Sequence, residues 1–330
     1  MTEVAGGHGT TSMTVSAPVG GQRLTRVVET DAHEGPVYVP GEDALYFTTQ
    51  RPDVAIKRLA LDGGRFPLEP GRITTVRAAA NMANGMALDA EGRLVVCEQG
   101  TLWQPAAITR VDRATGSVET VVGEWLGLRL NSPNDVVVKR DGTIWFTDPS
   151  YGYLQGFRPA PQVGDHVYRY DPRSGALRVV ADGFDKPNGL AFSPDEDVLY
   201  VGDNGNPHHI VAFDVVRGRR LTRRRVLAGS TSEHPDGLKV DAAGRVYASA
   251  SEGVRILDPS GGQIGEIAVP GAVNFTFGGP DGNVLFITAD DAIWAAVLDT
   301  PGQAGPSRTT PVGSTADDAS RCPALEGVRR

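Results

Sequence analysis

The amino-acid sequence predicts an all-β fold arranged as a six-bladed β-propeller. Segments rich in β-branched residues alternate apolar and polar positions, Asp-Gly or Pro-Asp turns separate them, and helical periodicity is almost absent. In addition, one phrase recurs six times: a polar residue, a short strand, a turn and a return strand. Four short strands in every ~40–50 residues are typical of a propeller blade.

The repeats follow one another along the chain, about 38–54 residues apart. The polar residues that open them are, in order, Glu34, Asn84, Asn134, Asn188, Asp236 and Asn274. Segments between the hairpins, such as AITRVDRATGSVETVVG, supply the outer pair of strands in each blade. We therefore assign the propeller to residues 23–300. The Gly-, Ser-, Thr- and Pro-rich ends predict a flexible tail over residues 1–22 and a disordered tail over residues 301–330.

Composition restricts the partners and the compartment. A formal net charge of −8 over 330 residues argues against nucleic acid or a membrane surface as the partner, because both are anionic. The two cysteines, Cys97 and Cys322, form no disulfide framework, and no signal peptide or membrane-length apolar run is found. These features predict a soluble, cytoplasmic protein. They do not predict its oligomeric state.

The hairpins are expected to place two sets of polar residues at one mouth of the central channel. If each hairpin forms the inner pair of its blade, the first strand runs away from this mouth and the second strand returns to it. The six opening residues then form an inner ring. A wider ring collects residues that end the return strands, namely Glu98, Asp148, Asp203 and Asp290.

Four members of the inner ring have the chemistry of a cation site. Glu34 and Asp236 contribute carboxylates, and Asn134 and Asn188 contribute amide carbonyls. Such oxygen donors suit Ca²⁺ first, with Mg²⁺, Mn²⁺, Zn²⁺ or Fe²⁺ as alternatives, although no His or Cys cluster marks a tetrahedral zinc site. The sequence thus predicts one divalent cation on the axis. Asn-Gly and Asp-Gly also make turns for backbone reasons alone, an alternative that applies most to Asn84 and Asn274.

A bound cation with free coordination positions, at the polar mouth of the channel, is typical of a hydrolase. The ion would polarise a carbonyl oxygen or acidify a water while a carboxylate takes the proton. Asp236 is the predicted general acid/base, and Glu34 is predicted to hold the ion. No Gly-x-Ser-x-Gly motif is found, and Cys97 is expected in the core. Strand alternation is expected to turn His33 away from the face that Glu34 occupies.

Four short motifs occur in order along the chain, namely Glu34-Gly35-Pro36, Asn134-Asp135-Val136, Asn188-Gly189-Leu190 and Pro235-Asp236-Gly237. With these motifs, residues 23–300 resemble the SMP-30/gluconolactonase/LRE family, and most of all its bacterial gluconolactonase branch. The resemblance implies a six-bladed propeller with a divalent metal on its axis, usually Ca²⁺. It also implies that the ion is held by residues matching Glu34, Asn134, Asn188 and Asp236, and that Asp236 is the acid/base in sugar-lactone hydrolysis.

Two segments bear on substrate choice, and one residue departs from the pattern of the bacterial gluconolactonase branch. Tyr151 and the GYLQGFRPAPQVGD sequence after it are expected to form a loop over the mouth. The segment FTTQRPDVAIKRLALD departs from the polar sequence expected after the first hairpin, so that Arg51 or Val54 is predicted to face the funnel. Gln99 stands where histidine is commoner in the bacterial branch.

The leading functional hypothesis is a metal-dependent lactonase that opens an aldonolactone or a related ester. The predicted substrate-binding residues are Asn84, Glu98, Asp148, Tyr151 and Asp203. For the return-strand carboxylates, an alternative role is to orient metal ligands or waters. Rival functions are a phosphotriesterase-like hydrolase or another small-molecule enzyme on the same site, and a non-catalytic interaction platform. The aromatic content of 7% disfavours the platform.

Overall fold

Six four-stranded antiparallel sheets make up the fold, one for each sequence repeat, and confirm the predicted all-β, six-bladed propeller. The computed structural model describes residues 23–61, 66, 70–229, 234–303 and 305. The predicted tail over residues 1–22 lies outside the described residues, as does the predicted C-terminal tail except for residues 301–303 and 305.

The strands follow the chain blade by blade. The first strand is β1 (Leu24–Glu29). Blades 1 and 2 consist of β2 (Ala32–Val39), β3 (Ala44–Thr49), β4 (Ile56–Leu61), β5 (Pro70–Arg77), β6 (Ala83–Leu88), β7 (Leu94–Glu98), β8 (Ala107–Val111) and β9 (Val118–Val122). The next two strands form a short hairpin, β10 (Glu124–Trp125) and β11 (Leu128–Arg129). Blade 3 consists of β12 (Val136–Val138), β13 (Ile144–Asp148), β14 (His166–Asp171) and β15 (Ala176–Ala181).

The remaining strands complete the propeller. Blades 4 to 6 consist of β16 (Pro187–Phe192), β17 (Val198–Asp203), β18 (His209–Val216), β19 (Arg220–Gly229), β20 (Leu238–Val240), β21 (Val246–Ala250), β22 (Gly253–Leu257), β23 (Gln263–Ala268), β24 (Asn274–Gly278), β25 (Val284–Thr288) and β26 (Ala292–Val297). A 3₁₀ turn (Pro40–Glu42) joins β2 to β3, and α1 (Tyr151–Leu154) follows β13. With four residues, the α-helix of the described chain is far shorter than the ~20 residues that cross a bilayer.

The ring of blades is closed by strands from the two ends of the chain. The first strands of successive blades contact one another all the way round, from β2 through β6, β12, β16, β20 and β24 back to β2. On the outside, β1 pairs antiparallel with β26 and so completes blade 6. Gly302 forms a bridge with Asp241, so ordered contacts continue just beyond the predicted boundary at residue 300.

Apolar side chains fill the spaces between neighbouring blades. The described residues form six clusters of buried side chains, and Cys97 is buried in one of them, as predicted. Where blade 6 meets blade 1, the rings of Tyr38 and Phe286 stack with their centroids 5.8 Å apart. Phe286 is fully buried, so this pair forms part of the interface that closes the ring.

We expect Phe286→Leu to lower the free energy of unfolding by about 1–2 kcal/mol, because leucine keeps most of the apolar volume but loses the stacked ring. Urea denaturation followed by fluorescence measures the change. Phe275→Leu is a matched control, since Phe275 is also fully buried but stacks with no ring in the described part of the chain. A loss in the control equal to that in Phe286→Leu would assign no stability to the stack.

Strand pairing is irregular at three of the residues that open the repeats. The register shifts between Glu34 and Val37 in β2, and corresponding shifts in β6 and β16 enclose Asn84 and Asn188. A β-bulge of this kind sets two residues against one on the partner strand and changes the direction of the side chains. The opening residues therefore do not follow the simple alternation of a regular strand.

The glycine after an opening residue allows the next blade to approach closely. The Gly85 N–H donates to the carbonyl of Asn134 at 2.8 Å, and the Gly189 N–H donates to the carbonyl of Asp236 at 2.9 Å. A Cβ atom on Gly189 would lie 2.1 Å from that Asp236 oxygen. Asn84-Gly85 and Asn188-Gly189 thus lie inside strands, and the alternative that they only make turns is wrong.

Candidate active site

One mouth of the central channel contains a cavity of about 310 Å³. The residues that line it are His33, Glu34, Thr49, Arg51, Val54, Met82, Ala83, Asn84, Gln99, Asn134, Tyr151, Gln155, Asn188, Asn204 and Asp236. Five of the six inner-ring residues are among them. The sixth, Asn274, lies behind the wall and donates from its amide to Glu34 Oε2 at 2.8 Å.

The four predicted cation ligands come from four blades and line this one cavity. Within the described residues, the side-chain oxygens of Asn134 and Asn188 are buried and have no hydrogen-bond partner. An unpaired buried acceptor costs about 1–3 kcal/mol, so two of them beside one cavity indicate a missing partner. A cation supplies such a partner, as does an O–H or N–H donor of a bound molecule.

The two carboxyl groups of the set also point to a cation. Glu34, which is buried, and Asp236, which is partly buried, share a hydrogen bond, so that two acidic groups lie side by side. Burial, the charge of Glu34 and the hydrogen bond to it raise the pKa of Asp236 well above its usual value. Either a proton or a cation must offset the repulsion.

A divalent cation therefore fits the residues present. In the described part of the chain, no three His, Cys, Asp or Glu side chains group as metal ligands, so the candidate set is two carboxylates and two amides. This all-oxygen set has the chemistry of a site for a hard cation such as Ca²⁺.

Neighbouring groups hold the two acidic candidate ligands in place. The Gly35 N–H donates to Glu34 Oε2 at 2.9 Å, the same oxygen that Asn274 contacts. Asp236 accepts a hydrogen bond from the amide of Asn188. The Asn188 Nδ2 also donates to the Tyr151 hydroxyl at 3.3 Å. The orientations of Asn188, Asp236 and Tyr151 are therefore coupled.

Asn84 and Tyr151, two of the predicted substrate-binding residues, line the cavity. The Asn84 amide donates to the Asn134 carbonyl at 3.1 Å, which links two members of the inner ring. Tyr151 begins α1, at the start of the segment expected over the mouth, and Gln155 from the same segment also lines the cavity. Arg158 attaches this segment to the propeller, because its buried guanidinium donates to the carbonyls of Leu130 and Asn131.

The other three predicted substrate-binding residues, Glu98, Asp148 and Asp203, do not line the cavity. All three are buried and accept hydrogen bonds from the segment that leads into their own blade. Asp148 accepts from the Asn131 and Ser132 N–H groups at 2.9 and 2.8 Å. Burial raises the pKa of Asp148 to about 7, although these two bonds lower it.

Glu98 and Asp203 repeat this arrangement. Asp203 accepts from the Asp185 and Lys186 N–H groups, and Glu98 accepts from the Asn81 amide at 2.8 Å and pairs with Arg77. The residues that donate these hydrogen bonds lie just before the inner-ring residue of the same blade, and the last donor in each blade precedes it by two or three positions. This geometry does not support direct contact with substrate. It favours the alternative role, in which the carboxylates orient the inner ring.

His33 lines the cavity, so the prediction that it faces away from Glu34 is wrong. The reason is the irregular pairing of β2, which shifts register on both sides of Glu34 and removes the expected alternation. His33 Nδ1 lies 2.6 Å from Asp290 Oδ1, a member of the wider ring. Burial lowers the pKa of His33, but the hydrogen bond to Asp290 and the charge of Glu34 outweigh it and raise the pKa overall.

Arg51 and Val54 both line the cavity, as the departure in the first blade predicted. Gln99, the residue noted above as a departure from the bacterial branch, also lines the cavity. Gln155 belongs to the segment that was expected over the mouth, whereas no sequence motif pointed to the remaining lining residues, which are Thr49, Met82, Ala83 and Asn204.

Comparison with known proteins gives consistent matches. A family model described as SMP-30/Gluconolactonase/LRE-like region matches residues 32–291. The chain is 33% identical to a gluconolactonase of Zymomonas mobilis over 78% of this chain and 75% of that protein. It is 29% identical to the lactonohydrolase oryL of Aspergillus oryzae, over 81% of this chain and 66% of that protein. The structure of XC5397 from Xanthomonas campestris, described as a gluconolactonase, is 37% identical with a TM-score of 0.75, covering 86% of this chain and 91% of that one.

Proposed function

The chain belongs to the SMP-30/gluconolactonase/LRE-like family and is a lactonase, and from this premise we propose that it hydrolyses a sugar (aldono-) lactone with the help of one divalent cation. The observation that carries the proposal is the pair of unpartnered amide oxygens, on Asn134 and Asn188, beside the adjacent carboxyl groups of Glu34 and Asp236. These four residues would hold the ion. We favour Ca²⁺ because all four donors are oxygen atoms.

The bound cation would supply positive charge that polarises the lactone carbonyl. Asp236 takes the proton from the attacking water as the water oxygen bonds to the carbonyl carbon. The acyl carbon–oxygen bond of the ring then breaks, and Asp236 returns the proton to the leaving oxygen, which gives a hydroxy acid. Asn188 holds the Asp236 carboxyl in position for both transfers. The cavity of about 310 Å³ is large enough for one small ring and its substituents.

A pH-stat assay on chelator-treated protein tests the proposal. The substrates are glucono-δ-lactone, a γ-aldonolactone, a plain alkyl lactone and a phosphotriester, and Ca²⁺, Mg²⁺, Mn²⁺ or Zn²⁺ is added back in turn. We expect a sugar lactone to be opened only after a cation is restored, with Ca²⁺ among the effective ions. Full activity after chelation would refute the proposed dependence of hydrolysis on a divalent cation. Turnover of the phosphotriester alone would refute the substrate class.

We expect Glu34→Gln to weaken cation binding at least ~10-fold, because the variant keeps a carbonyl oxygen but loses one of two negative charges in the site. Titration calorimetry with Ca²⁺ measures the affinity, and circular dichroism checks that the fold is retained. Glu119→Gln, on an exposed side chain of blade 2, is the charge-matched control and should bind as the wild type does. Unaltered affinity in Glu34→Gln would remove Glu34 from the ligand set.

A further inference from the structure

Arg51 lines the same cavity as the candidate cation ligands but is exposed at its rim. It follows β3, two residues beyond Thr49. Its guanidinium carbon lies 5.3 Å from the centre of the Phe157 ring, which belongs to the segment after α1. The charge is therefore held at the mouth between blade 1 and this segment.

Within the described residues, Arg51 has no carboxylate within ion-pair distance. Three other cations of blade 1 do have such partners. Lys57 pairs with Asp31 at 2.7 Å, Arg58 pairs with Glu42 at 3.0 Å, and Arg77 pairs with Glu98. A cation that faces a cavity without a protein counter-charge attracts an anionic ligand.

The charges deeper in the cavity strengthen this argument, which rests on the proposed function. A divalent cation would be neutralised by the carboxylates of Glu34 and Asp236. The positive charge of Arg51 would then remain unbalanced at the mouth. A guanidinium presents paired N–H donors that match the two oxygens of a carboxylate.

We propose that Arg51 makes the enzyme selective for a lactone that carries a carboxylate substituent. The lactone carbonyl lies at the buried end, beside the four inner-ring ligands, and the carboxylate lies at the rim, beside the guanidinium. Arg51 is thus a specificity-determining residue that binds substrate away from the reacting atoms.

Two lactones that differ at one position test the proposal. D-glucaro-1,4-lactone has a carboxylate where D-glucono-1,4-lactone has a hydroxymethyl group. We expect the wild type to prefer the glucaro-lactone at least ~10-fold in kcat/KM, and Arg51→Gln to lose ~10–100-fold on that substrate, mainly through KM. On the glucono-lactone the loss in the variant should be at least ~10-fold smaller, since Arg51 faces a neutral hydroxymethyl group there.

Arg58→Gln is the matched control, because Arg58 lies in the same blade but outside the cavity and should leave the preference unchanged. A wild type that prefers the glucono-lactone, or an equal loss on both substrates in Arg51→Gln, would overturn the proposal. Hydrolysis of the glucono-lactone without any preference would leave the lactonase function intact and refute only the role of Arg51.

A binding measurement decides the same question without turnover. Glucarate and gluconate, the open-chain acids, are titrated calorimetrically into Ca²⁺-equilibrated wild type and Arg51→Gln. We expect glucarate to bind more tightly to the wild type and the difference to disappear in the variant. Equal affinities in the wild type would refute selectivity for a second carboxylate even if neither lactone is hydrolysed.

Discussion

Replacing Asp236 with asparagine is expected to lower kcat for lactone opening by about 10²–10⁴-fold while cation binding and the fold persist. The amide keeps an oxygen that can face the ion, but it cannot take a proton from water at neutral pH. The loss corresponds to about 3–5 kcal/mol of transition-state free energy. Steady-state hydrolysis of glucono-δ-lactone, with Ca²⁺ titration of the same sample, separates the catalytic effect from the binding effect.

The control for this variant is Asp197→Asn. Asp197 lies at the exposed turn of the inner hairpin of blade 4, away from the cavity, and its replacement should leave both measurements unchanged. Turnover in Asp236→Asn within ~3-fold of the wild type would exclude Asp236 as the general base. If cation affinity were lost together with activity, the role of Asp236 would instead be to bind the cation alone.

The repeat pattern predicted the fold and the inner ring because both depend on local, periodic features. An opening polar residue, a strand and a turn recur in every blade, and blade geometry brings the equivalent positions to one mouth. Asn188 and Asp236 could therefore be placed in one cavity although they are far apart in the chain. The same register argument predicted which mouth would carry them.

Other parts of the site depend on contacts that have no local signature. His33 enters the cavity through a bulge, and the alternation rule assumes a regular strand. Glu98 and Asp203 occupy the expected strand ends, but their oxygens are taken by Asn81 and by the N–H groups before Asn188. Whether a carboxylate faces solvent or a neighbouring segment depends on packing that a single hairpin does not specify.

The same packing makes Gly189→Ala, next to the inner-ring residue Asn188, a strongly disruptive substitution. A Cβ atom would lie 2.1 Å from the Asp236 carbonyl oxygen and 2.8 Å from the Leu238 nitrogen, and both are backbone atoms of the next blade. We expect the free energy of unfolding to fall by more than ~3 kcal/mol, because neither strand can move without breaking its sheet.

Activity in Gly189→Ala should fall as well, since the clash separates Asn188 from Asp236, whose carbonyl accepts the Gly189 N–H at 2.9 Å. Urea denaturation and lactone hydrolysis on one preparation measure the two effects. Gly41→Ala is the matched control, because a Cβ on Gly41 would have no atom within 4 Å. If Gly189→Ala were as stable and active as Gly41→Ala, close backbone contact between blades 4 and 5 could not be what brings Asn188 and Asp236 together.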